Sequence, residues 1–155
     1  MIGIGNPDRR DDAAGLEVAR RLRAILPDSI HVIEESGEAT ALMAAWEGAD
    51  CVVTIDAMAS GARPGLIRRF DLKDDPLPAH LLRCSTHDLG LPEAIELSRR
   101  LGTLPSRLVV YGIEGADFGC GRSLSTSVLL AVDTAVHAIQ GELEALIPGS
   151  EASLR

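Results

Sequence analysis

Cysteine is scarce in this chain: three residues in 155, at positions 51, 84 and 120. An odd number at such wide spacings makes no disulfide framework, and without a Cys-x-x-Cys pair there is no structural zinc motif. A reducing, cytoplasmic setting is expected. Aromatic residues are few, two Phe, one Tyr and one Trp, so there is no platform on which bases stack. Lysine occurs once, at Lys73, and the net charge is −8. That balance excludes a nucleic-acid surface, which depends on cations neutralising phosphates. No apolar run approaches the roughly 20 residues of a membrane span, and no basic segment followed by an apolar one opens the chain. Neither nucleic acid nor membrane is expected as a partner. A serine-hydrolase Gly-x-Ser-x-Gly elbow is also missing. The opening Gly3-Ile4-Gly5-Asn6 lacks the third glycine of a dinucleotide fingerprint, since position 8 is Asp. Acids at 8, 11 and 12 would repel a pyrophosphate there.

What remains is an ordinary globular composition: 46% hydrophobic and 25% charged residues are enough to build one core. Residues 1–147 are expected to form a single domain, with 148–155 a frayed tail. The apolar residues alternate between two periods. Met1–Gly5 reads as the tail of a buried strand, so a natural start upstream is an expectation. Ala13, Leu16, Ala19, Leu22 and Leu26 form a helical stripe, with Asp11 as its N-cap. Ile30–Ile33 reads as a short strand, 38–46 as a helix, and 50–55 as a buried strand rich in β-branched residues. Leu66–Phe70 fits an edge strand, and 71–86 is an irregular segment containing prolines. A helix over 88–101, a strand over 108–113 and a last helix from Ser123 or Ser125 to Leu146 complete the pattern. Strands and helices alternating in this way predict an α/β three-layer sandwich. Its sheet would be twisted, mostly parallel and five-stranded, with helices on both faces.

Three residues with metal-binding side chains fall where strands or loops hand over to the next element: Asp12, Asp56 and His87. Right-handed crossovers put the ends of the first and third strands on one edge of the sheet, where α/β proteins build their sites. Two carboxylates and an imidazole converging there would make a three-ligand metal site with open positions. Each residue also has a plainer explanation. Asp11 and Asp12 suit the first turn of a helix, where the dipole favours acids by about 0.3–1 kcal/mol each. Asp56 can cap a turn, and His87 can simply precede a helix that Asp88 caps.

In order along the chain stand Gly3-Ile4-Gly5-Asn6 with Asp11-Asp12-Ala13-Ala14-Gly15, then Ile55-Asp56-Ala57, Ser85-Thr86-His87-Asp88-Leu89-Gly90-Leu91, Gly112-Ile113-Glu114 and Leu124-Ser125-Thr126-Ser127-Val128. This ordered set resembles the hydrogenase maturation endopeptidases, which remove the C-terminal extension of nickel–iron hydrogenase large subunits. The resemblance implies that Asp12, Asp56 and His87 contact a nickel ion carried by the substrate, with no permanently bound cofactor. It implies that Gly5, Asn6 and Asp11 shape the substrate-binding turn and that the partner is a nickel–iron hydrogenase large-subunit precursor. A monomer is expected. Two other functions use the same residues. One is a hydrolase with its own zinc or manganese; the other is a paralogue that binds a precursor without cleaving it.

Overall fold

A computed structural model of the chain describes residues 1–74, 78 and 90–146. The region around His87, with His80 and Cys84, lies outside the described residues, as does the expected tail. Five strands, β1 (Ile2–Ile4), β2 (Ile33–Glu35), β3 (Cys51–Met58), β4 (Ile67–Asp71) and β5 (Arg107–Glu114), form one sheet in the order β2-β1-β3-β5-β4. All neighbouring pairs are parallel except β4 with β5. The helices are α1 (Ala14–Arg23), α2 (Ala39–Trp46), α3 (Leu91–Leu101) and α4 (Thr126–Leu146), and a 3-10 turn at Arg10–Ala13 leads into α1. This is the expected three-layer α/β architecture.

Alternation along β3 builds two cores. Val53 and Ile55 pack with Val18 and Leu22 of α1 and Val132 and Ile139 of α4. Val52 and Met58 pack on the other face, with Leu42 and Trp46 of α2 and Leu91 and Ile95 of α3. Trp46 donates from Nε1 to Ser98 Oγ at 3.2 Å, so the polar edge of the largest core side chain is satisfied between α2 and α3.

Four local expectations change. α3 starts at Leu91 with Gly90 as its N-cap, not at Asp88. β2 lies at Ile33–Glu35 rather than Ile30–Ile33, where it pairs with Ile2–Ile4 of β1, and its Glu34 is held from outside by Arg20 and Arg23 of α1. β3 continues three residues past Ile55, since β5 pairs with it as far as Met58 opposite Glu114, and Asp56 therefore lies within the strand. Asp11 does not cap α1, whose start has no side-chain cap; its carboxylate points elsewhere.

Chain order decides where a site can form. From β1 the chain steps to β2 on one side and then to β3 on the other. The crevice beyond the ends of β1 and β3 is the topological switch point of the sheet.

Candidate functional site

Asp12 sits in the 3-10 turn that follows β1, at this crevice. Gly5 allows the turn to fold back on the strand: it has φ +154°, and a Cβ there would stand 1.9 Å from the carbonyl oxygen of Asp12. Asn6 accepts the amide of Asp8 on its Oδ1 at 3.0 Å, tightening the same bend. Asp56 comes up from β3 on the α2/α3 face, between Ile55 and Met58 of opposite cores. Its Oδ1 accepts the amide of Ala57 at 2.8 Å. Both acids are buried.

Burial raises the pKa of Asp56, the charge of Asp12 raises it further, and the hydrogen bond from Ala57 opposes both; the result is about 7. The fold therefore brings Asp12 and Asp56 into electrostatic contact at the switch point. His87 falls in the segment leading into α3, outside the described residues. Among the described residues no group of three His, Cys, Asp or Glu side chains is arranged to hold a metal. A metal coordinated by Asp12 and Asp56 would take further ligands from elsewhere.

Asp11 is fully buried and turned away from this pair. Its Oδ2 accepts the amides of Ala116 and Asp117 at 2.8 and 2.9 Å and the hydroxyl of Ser125 at 2.9 Å. Its Oδ1 accepts the amide of Ser125 at 2.7 Å. Burial alone would raise its pKa, but the amides of Ser125, Ala116 and Asp117 and the Ser125 hydroxyl outweigh it and lower the pKa. The neighbouring residues reinforce the seam. Arg9 donates to Phe118 O, Arg10 donates to Cys120 O and pairs with Asp117, and the amide of Arg10 reaches Gly121 O. Arg10 is held at φ +45° by these contacts. Asp11 thus joins the turn carrying Asp12 to the loop between β5 and α4.

Sequence reading gave no role to Glu114, a third carboxylate at the end of a strand. It is buried at 1% exposure. Its Oε1 accepts the amides of Gly61 and Ala62 at 2.8 and 3.1 Å, and its Oε2 accepts the Ser60 hydroxyl at 2.8 Å. Its backbone also takes part: Gly65 N donates to Glu114 O, and Glu114 N donates to Leu66 O. Glu114 fixes the loop between β3 and β4, which begins three residues after Asp56. The available signal was its place at the end of the apolar run Leu108–Ile113, the same one that singled out Asp56. A cavity of about 470 Å³ opens at the opposite edge, between Met1, Ile33, Cys51 and Leu143, far from these carboxylates.

A family model described as hydrogenase maturation protease matches residues 16–142. The chain belongs to the hydrogenase maturation protease family. The matched stretch includes Asp56, Glu114 and position 87, and it begins after Asp12. The hydrogenase expression/formation protein HupD of Rhodobacter capsulatus is 26% identical over 150 residues, covering 94% of this chain and 70% of that protein. The hydrogenase 2 maturation protease of Escherichia coli K12 is 28% identical over 117 residues, covering 73% and 70%. The crystal structure of the NiFe hydrogenase maturation protease HycI from Thermococcus kodakarensis KOD1 superposes with a TM-score of 0.67 at 26% identity, covering 92% of this chain and 90% of that one. The chain spans 56% to 70% of the length of the curated relatives it matches. The family is one of peptidases. Among the described residues no helix is long and apolar enough to cross a membrane.

Proposed function

We propose that this protein is an endopeptidase that removes the C-terminal extension of a nickel–iron hydrogenase large-subunit precursor after nickel has been inserted. In this reading the nickel arrives with the substrate. Asp12, Asp56 and His87 complete its coordination, and the scissile bond is held beside it. The enzyme works as a monomer in the cytoplasm.

The observation that carries the reading is the burial of Asp12 and Asp56 side by side at the switch point of the sheet. Two buried acids share a crevice, and one is held near pKa 7 by burial and by the other's charge. A divalent cation entering between them removes the repulsion and takes the place of the Asp56 proton. Binding energy made at the metal then positions the peptide, a proximity effect. The metal can polarise the carbonyl. A carboxylate with a pKa near neutrality is also suited to accept a proton from attacking water. Asp11 and Glu114 hold the two loops that flank the pair.

Cleavage of a nickel-loaded precursor by the wild type, Asp56→Ala and His87→Ala tests the assignment. Loss of cleavage in both variants, with folding retained, supports it. Full activity in both overturns it.

A further inference from the structure

The loop between β3 and β4 is exposed yet tightly held. Glu114 fixes Ser60, Gly61 and Ala62 from below. The next four residues, Arg63-Pro64-Gly65-Leu66, make a type II turn. Pro64 occupies its second position, Gly65 has φ +83° at the third, and Leu66 N donates to Arg63 O at 3.1 Å. A side chain on Gly65 would stand 2.7 Å from Ser127 O, so the turn also packs tightly against the start of α4. β4 begins directly afterwards at Ile67.

This rigid segment carries two arginines that differ from the others. Arg9, Arg10, Arg20, Arg21, Arg23, Arg69, Arg99, Arg100, Arg107 and Arg122 each have a side-chain hydrogen bond or ion pair. Among the described residues, Arg63 and Arg68 alone of the arginines have neither. Arg63 is exposed on the turn, and Arg68 is half-buried in β4. A cation partly stripped of water and left unpaired costs free energy that an arriving anion recovers. In a chain of net charge −8, leaving these two without acids is a conspicuous omission.

The sheet register shows what Arg68 faces. Asp56 lies opposite Gly112 on β5, and Gly112 lies opposite Arg68 on β4. Residues in one such row project from the same face, so Arg68 shares the α2/α3 face with Asp56. Phe70, two residues further along β4, packs on that face as well. Two strand spacings separate Asp56 from Arg68, about 10 Å, which is about three residues of extended peptide.

We propose that Arg63 and Arg68 are specificity-determining residues that bind a carboxylate of the substrate about three residues from the point held at Asp56. The carboxylate is either an acidic side chain or a C-terminus. The proposal rests on the peptide-cleaving reading but is tested without cleavage. Glu114 acts as a positioning residue, because the turn that presents Arg63 depends on it.

The probes are three octapeptides titrated into the full-length protein by NMR. The first carries one internal glutamate and a C-terminal amide. The second carries glutamine at that position and a free C-terminus, and the third carries glutamine and an amide. Wild type is expected to bind the first or the second at least tenfold more tightly than the third. Whichever of the two is preferred identifies the source of the carboxylate. The Arg63→Gln/Arg68→Gln double variant is expected to bind all three alike. Arg63→Gln alone replaces an exposed side chain and is expected to lose about a threefold share of the preference, which covers the case of a double variant that fails to fold. In precursor cleavage the same substitutions raise KM and leave kcat within about twofold. Equal binding of all three peptides by wild type overturns the proposal, and so does a preference that survives in the variants. A preference that depends on the arginines, together with full cleavage by Asp56→Ala and His87→Ala, would uphold the carboxylate site and sink the nickel reading.

Discussion

Asp12 and Asp56 face each other across the switch point of the sheet, and the charge of Asp12 adds to burial in holding the Asp56 carboxyl up to about 7. The pair is therefore a source of instability in the folded protein. In the unfolded chain Asp56 returns to about 3.8, so between 3.8 and 7 the native state binds the extra proton. Stability from this group is fully present below 3.8 and is lost as pH rises through 7. The interval sets an upper bound of about 4 kcal/mol. Asp56→Asn, which mimics the protonated acid, is expected to match wild type in thermal melts at pH 4 and to exceed it at pH 8. Asp12→Asn is expected to lower the Asp56 pKa only part of the way, because burial is the larger cause. Equal melting curves for wild type and Asp56→Asn at pH 8 would show that the ionised Asp56 carries no penalty in the folded protein.

The same proton should be displaced when a cation binds. At pH 6 most Asp56 carboxyls are protonated, and at pH 8 few are. In calorimetric titration with cadmium or nickel in buffers of different ionisation enthalpy, the protons released by wild type in excess of Asp56→Asn are expected to be most of one proton at pH 6 and a small fraction at pH 8. Asp56→Asn is expected to release none from this group and to bind at least tenfold more weakly. No excess of proton release over Asp56→Asn at pH 6, or undiminished affinity in Asp56→Asn, would remove Asp56 from the coordination sphere.

Much of this architecture is legible in the sequence, and the exceptions share a cause. The β-branched runs Val52-Val53 and Val109-Val110 identify two central strands because those strands are buried on both faces. β2 is misplaced because it carries two acids, one of them Glu34 paired with Arg20 and Arg23 on α1, so an edge strand looks like polar loop. Asp11 reads as a helix cap because capping is local, whereas its four donors lie 105 to 114 residues further along the chain. Asp12 and Asp56 can be brought to one edge by topology alone. The roles of Glu114, Arg63 and Arg68 depend on register and on which side chains are left unpaired, and periodicity carries neither. The Arg-Pro-Gly turn is the one local signal that marks their loop.

Asp11 is expected to matter for folding first and for activity through Asp12. Asp11→Ala leaves three amides and a hydroxyl without their acceptor in a buried seam, and a loss of about 3 kcal/mol or more is expected in urea denaturation. Asp11→Asn keeps one accepting oxygen and is expected to lose less. The carboxylate's lowered pKa gives its stabilisation the opposite pH sense to that of Asp56. It is present above 3.8 and lost as pH falls through the lower, folded value. The gap between wild type and Asp11→Asn should thus narrow as the pH falls below 3.8 and close once the carboxylate is protonated in the folded protein as well. A gap that stays constant from pH 7 down to pH 2 would mean that the charge of Asp11 contributes nothing.

Glu114 separates a positioning role from a ligand role, because its glutamine analogue fits the same partners. In Glu114→Gln the carbonyl oxygen can still accept from Gly61 and Ala62, while the amide nitrogen donates to a Ser60 hydroxyl that turns to accept. Stability within about 1 kcal/mol of wild type and nearly full cleavage are expected, with KM unchanged. Glu114→Ala removes the acceptor for all three donors and releases the turn bearing Arg63. A cost of about 1–3 kcal/mol is expected, with KM raised and the carboxylate preference of the octapeptides reduced. If Glu114 instead supplied a charge to the metal or to the reacting bond, Glu114→Gln would be as inactive as Glu114→Ala. Measuring kcat and KM for both variants on a nickel-loaded precursor decides between the two roles. An inactive, folded Glu114→Gln would move Glu114 from the frame of the site into its chemistry.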